Sequence, residues 1–201
     1  MREVIIADFR ALVVVLSFLS GFTPMQSIAS DALDESFGSP NGDRPEYAQF
    51  AYLRGDWDAK MISIDDAGNR TEIPSDAHVT GYYHQDGKIF QTCFVAPSFF
   101  STDIRAYDAE NAEWRAHFLN ANAQRWSGFT VKKVGDTIQT IVPGGFSGKE
   151  AFDVKTVVSE ITENSFLSKV YSSSDGGEKW VQTFELRYTR ADPVNGVRIN
   201  C

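Results

Sequence analysis

The chain has 201 residues, 42% of them hydrophobic and 13% aromatic, which is enough apolar material for one domain with its own core. Its 27 acidic against 19 basic residues leave a formal net charge of -8. That balance excludes a nucleic-acid footprint and electrostatic adhesion to anionic membranes, both of which need clustered positive charge.

Residues 1–29 read as a signal peptide. Arg2 and Arg10 belong to a short leading region in which Glu3 and Asp8 offset their charge. Ala11 to Phe22 is an apolar run too short to span a bilayer as a stable helix. Pro24 interrupts it, and Ser27-Ile28-Ala29 supplies the small-x-small cleavage pattern before Ser30. The alternative is an uncleaved anchor. The expected product is a secreted or periplasmic protein with no membrane span in the mature chain. Residues 30–45, dominated by Asp, Glu, Ser, Gly, Pro and Asn, read as a flexible spacer.

A short helix is predicted from about Pro45 to Leu53. Pro45 suits its first position, Phe50 and Leu53 share a face, and Gly55 stops it. A helix so placed can plug one end of a barrel. From Trp57 onward the apolar period changes to two, and turns recur at Asp65 to Asn69, Asp86-Gly87, Asp108 to Asn111, Gly135-Asp136, Thr162 to Asn164 and Asp175 to Gly177. About ten strands lie between them. Short connections make successive strands neighbours, and a meander of this length hides its edges by closing on itself. The predicted fold is all-β: an antiparallel up-and-down barrel of about ten strands over residues 46–191, capped at one end by the helix. Residues 192–201 form a C-terminal tail.

The Asp86-Gly87 hairpin assigns faces. If Gln85 pairs with Lys88, then Tyr83 faces Phe90, Gly81 faces Thr92 and Val79 faces Phe94. This face is the more apolar and is placed inside. The last strand puts Trp180, Gln182, Phe184, Leu186 and Tyr188 inside against Val181, Thr183, Glu185 and Arg187 outside. Trp57, Met61, Trp114, Phe118, Phe152 and Val154 join the interior. Such a lining suits a pocket for a small apolar ligand, and equally a filled core, because the diameter is near the limit that side chains alone can fill.

Tyr47 to Trp57, ending in Leu53-Arg54-Gly55-Asp56-Trp57 and followed by the meander, resembles the lipocalin-like (calycin-type) β-barrels, in which Gly-x-Trp opens the first strand. The chain is most similar to exported bacterial families of that type whose function is unassigned, through Asp103-Ile104-Arg105-Ala106-Tyr107-Asp108 ahead of the Trp114 strand. The Thr-Asp-Tyr motif of typical lipocalins is absent. The resemblance spans about Tyr47 to Arg190, implies a barrel with a ligand-sized interior, and transfers no catalytic residue. Trp57 is expected to close the barrel base with its indole N–H bonded to a nearby carbonyl, and Gly55 to let helix and strand meet closely.

The candidate ligand-binding residues are Tyr83, Phe90, Thr92, Phe94, Arg105, Trp114, Phe118, Gln182 and Phe184. If the Asp103 face points inward, Arg105 would anchor a carboxylate; if outward, it joins a surface ion pair worth ~0–1 kcal/mol. No catalytic residue, metal or cofactor is expected. His78 and His84 share a strand face but lie roughly 20 Å apart, too far to share one ligand. His117 is expected to point outward. A haem- or cofactor-dependent barrel enzyme using one inward-turned His is the alternative, and a filled barrel acting as an interaction module is another. Gly144 to Lys149 departs from a phosphate loop in spacing and in Glu150, and reads as a loop over one mouth. Cys93 and Cys201 fit either a bridge in an oxidising compartment or two free thiols. The expected partner is a small apolar ligand, with no nucleic acid.

Overall fold

A computed structural model describes residues 36–84, 86–144 and 152–191. The signal-peptide reading, most of the spacer, Gln85, the body of the Gly144 to Lys149 loop, the tail and Cys201 lie outside the described residues.

A 3₁₀ helix over Pro45–Leu53 precedes ten strands: β1 Gly55–Ile64, β2 Arg70–His84, β3 Ile89–Ala96, β4 Phe99–Asp108, β5 Glu113–Asn120, β6 Arg125–Val134, β7 Thr137–Val142, β8 Asp153–Ser159, β9 Ser165–Ser173 and β10 Val181–Arg190. Each pairs antiparallel with its sequence neighbour, and β1 pairs with β10 from Trp57↔Arg190 to Ser63↔Phe184, so the barrel is closed. Closure removes both sheet edges, leaving no row of unpaired backbone groups to recruit another chain.

Local chemistry sets the turns. Asp86 and Gly87 both have positive φ, 57° and 77°, as the tight turn that follows the sheet twist requires. Asp65 accepts from the Ala67 and Asn69 amides, and Asp108 from those of Glu110 and Asn111. These side chains supply the acceptors that a turn takes from the ladder.

The hairpin register is as expected: Tyr83↔Phe90, Gly81↔Thr92 and Val79↔Phe94, all on the interior face. In β10 the alternation holds for Phe184, Leu186 and Tyr188 and then fails. A bulge between Gln182 and Phe184 pairs Gln182 with Tyr171, on the outer face. Trp180 follows it outward, where Lys155 Nζ sits 4.5 Å from its ring and 5.2 Å from that of Tyr171. Strict period-two reading carries both residues inward because it has no means of seeing one extra residue in a strand.

The helix closes the barrel end where β1 begins. Phe50, fully buried, stacks on Phe90 at 5.2 Å and meets Trp114 edge-on at 4.9 Å. Trp57 packs edge-on against Phe166 at 4.8 Å, and its indole N–H donates to the Leu53 carbonyl at 3.1 Å. Arg190 covers the Trp57 ring at 4.2 Å and donates to the Arg54 and Glu163 carbonyls. The close approach of helix to wall falls at Gly81 rather than Gly55: a Cβ on Gly81 would collide with the Leu53 carbonyl oxygen and lie 2.9 Å from the Phe90 ring. Before the helix, Phe37 and Asn41 bond to the β2–β3 hairpin through Tyr83 N–H and the Gly87 carbonyl.

Candidate functional site

Above the helix the barrel is hollow. A cavity of about 410 Å³ is floored by Tyr52 and Leu53 of the helix and walled by inward side chains of all ten strands. Most are apolar: Val79, Phe94, Phe118, Phe129, Ile138, Val142, Phe166 and Leu186. At the end away from the helix, Phe94, Ala96, Phe99, Val170 and Phe184 are only partly buried, which marks the mouth. A second hollow of about 720 Å³ lies against the helix among Glu46, Glu113, Lys132, Lys133 and Asp136. Lys132 in it is exposed, with Nζ 3.1 Å from the Glu113 carboxylate, so it is a surface groove.

The cavity floor carries charge. β4 reaches it through the Ala96↔Phe99 hairpin, which continues the β3 register so that Thr92 faces Asp103 and Phe90 faces Arg105. Asp103, Arg105 and Tyr107 therefore point inward, and apolar Ile104 points out at 44% exposure. Asp103 and Arg105 have side chains only 10% and 12% exposed. Arg105 donates from Nε and Nη2 to the Asp103 carboxylate, the latter at 2.9 Å, and Thr92 Oγ1 donates to it at 2.7 Å. The guanidinium lies 4.6 Å from the Phe50 ring centroid and 5.8 Å from that of Phe90. Burial works against the charge on Arg105, but the Asp103 carboxylate more than restores it, and its pKa lies above the ordinary value. The arrangement is a buried, forked ion pair rather than a lone cation awaiting an anion.

Five Ser and Thr side chains also line the cavity, and two phenols join them. Tyr52 and Tyr188 both face the cavity, and neither hydroxyl has a hydrogen-bond partner among the described residues. Burial pushes Tyr52 up to about 12, with Arg105 pulling down and Asp103 pushing up. Burial, with Tyr52 beside it, also raises Tyr188. Both stay protonated at neutral pH. Buried polar groups are ordinarily paired, so unpaired hydroxyls on a cavity wall are positioned to meet a ligand or water.

Of the candidate residues, the structure brings Thr92, Phe94, Arg105, Phe118 and Phe184 together on the cavity wall. Tyr83, Phe90 and Trp114 are interior but lie beneath the helix in the packed end. Tyr83 donates its hydroxyl to the Tyr47 carbonyl at 2.7 Å, and Trp114 donates its indole N–H to that of Glu46 at 3.3 Å. Gln182 is outside the lining, for the bulge described above. Tyr52, Asp103 and Tyr188 were not among the candidates. The signal for Asp103 was the Pro97-Ser98 turn, with Ser98 at φ 70°: carrying the β3 register across it turns Asp103 inward.

All three histidines point outward. His78 pairs with Asp58 at 2.7 Å, His84 with Gln91 at 3.0 Å, and His117 is exposed on β5. The register that holds Tyr83 inside holds His84 and His78 outside, so the single-His cofactor alternative loses its residue. Cys93 is disulfide-bonded and fully buried. Among the described residues no group of acidic, His or Cys side chains is arranged to hold a metal ion, and no helix is long and apolar enough to cross a membrane.

No family model matches the sequence, and no curated protein matches it. Several solved structures are similar, two of which follow. The S-type phycobiliprotein lyase CPES from Guillardia theta aligns with a TM-score of 0.47 at 9% identity, over 71% of this chain and 90% of that one. Rv2717c from M. tuberculosis aligns with a TM-score of 0.37 at 11% identity, over 74% and 99%. Likenesses this distant carry no conclusion about the chemistry of this chain, and the closed ten-stranded barrel rests on its own strand pairing.

Proposed function

We propose that the protein binds or carries a small, largely apolar molecule inside the barrel, without catalysing its conversion. The observation that carries this reading is the cavity of about 410 Å³, within the range of small-molecule sites, with mostly apolar walls, a few Ser and Thr hydroxyls and one charged pair. A lipocalin-like assignment agrees with the Gly55-x-Trp57 opening and the helix-plugged barrel. Export as a secreted or periplasmic protein is part of the same proposal and rests on residues 1–29.

The test is uptake of N-phenyl-1-naphthylamine, a neutral probe that fluoresces in apolar surroundings, together with native mass spectrometry of the purified protein. Saturable binding is expected, and Val170→Trp, which fills the cavity from β9, is expected to abolish it while the thermal transition is retained. Binding unaffected by Val170→Trp would place the probe elsewhere and defeat the reading. Export predicts a mature mass beginning at Ser30.

A further inference from the structure

We infer that the ligand meets the cavity floor through an uncharged hydrogen-bonding head, a carbonyl of the amide or ketone class, and that the Asp103–Arg105 pair selects against carboxylates. The inference rests on the carrier reading above and specifies its ligand.

Arg105 is the sole cation on the cavity wall, and Asp103 the sole anion, among the described lining residues. The two are joined by a fork, so the floor is neutral as a whole. Thr92 gives Asp103 a further donor, which holds the carboxylate in place and commits it to Arg105. With Nε and Nη2 taken, Arg105 keeps Nη1 without a partner among the described residues, and one face of its guanidinium is covered by Phe50. A donor therefore remains at the floor, with the Tyr52 hydroxyl nearby as a second. Two donors on a neutral floor match the lone pairs of one carbonyl oxygen.

A carboxylate meets a different field. It would bring a second negative charge beside Asp103, sharing one cation, inside walls that are otherwise uncharged and mostly apolar. Desolvating it is costly, and the like charge of Asp103 opposes its ionised form. Inward placement alone would have made Arg105 an anion anchor; its partner two residues earlier on the same face removes that role. Specificity here comes from an unfavourable term built against the wrong head group.

The experiment is displacement of bound N-phenyl-1-naphthylamine by decanamide and by decanoate at neutral pH, on the wild-type protein and on Asp103→Asn. Decanamide is expected to compete with an apparent Kd roughly tenfold or more below that of decanoate. Asp103→Asn leaves a net cation at the floor and is expected to reverse the order. Equal competition, or stronger competition by decanoate, on the wild type overturns the inference while leaving the carrier reading intact. Failure of the probe itself to bind overturns both. The wild-type comparison decides by itself should Asp103→Asn not fold.

Discussion

The two halves of this barrel use the same strands and reach opposite outcomes. Under the helix, Phe50, Phe90, Trp57 and Trp114 interlock with almost no exposure, and every indole N–H there finds a carbonyl. Toward the other end the wall presents Phe94, Val170 and Phe184, which line a cavity. Whether a ten-stranded barrel is filled or hollow is thus decided by what enters from its ends rather than by its wall. The helix contributes Phe50 to fill one half, and stops at Tyr52 and Leu53. The packed half holds the aromatic core, and the other holds the cavity in which binding is proposed.

Mutations at matched positions test that division. Phe50→Ala removes a fully buried ring from the packed half and should cost about 3–5 kcal/mol in urea unfolding. Phe184→Ala, from a partly buried ring at the mouth, should cost about 1 kcal/mol or less. Equal costs would mean that the two halves are not energetically distinct. An intermediate effect, about 1–3 kcal/mol, is expected for Gly81→Ala, whose new methyl meets the Leu53 carbonyl and must lift the helix from the wall. If the helix is the cavity floor, the same substitution should also weaken probe binding, whereas a floor formed by strands alone would leave binding unchanged.

The smallest effect is electrostatic and lies outside both halves. Glu185, on the outer face of β10, accepts from Arg70 at 2.7 Å and Arg187 at 2.8 Å. The hydrogen bond from Arg70, assisted by Arg187 and opposed by burial, holds its pKa below the ordinary glutamate value. A carboxylate depressed on folding stabilises the protein above its unfolded pKa of about 4.3, and that contribution is lost as pH falls through the lower folded value. Wild type should therefore exceed Glu185→Gln in urea midpoint near neutrality, and the gap should close as pH falls below the unfolded value and through the lower folded one. A gap that persists unchanged in acid would show that the pair contributes through packing alone.

Much of the barrel was legible from local chemistry. Period-two alternation, Asp-Gly turns and Pro45 at the helix start are decided by residues within a few positions of one another, so strand number, helix and the β2–β3 register could be read directly. The bulge at Thr183 was not legible, because it depends on how β9 accommodates β10. The facing of β4 was obscured because Ile104 and Ala106 look like core and Asp103 and Arg105 look like surface, and hydropathy alone ranks them wrongly. The β3–β4 pairing, by setting Asp103 against Arg105 and Thr92, makes their burial tolerable. Sequence by itself determined that this chain forms a helix-plugged antiparallel meander, since those preferences are local. Tertiary structure alone decided where the interior stays empty and that the Asp103–Arg105 pair faces it, since a cavity forms only when strands far apart in the chain close around it.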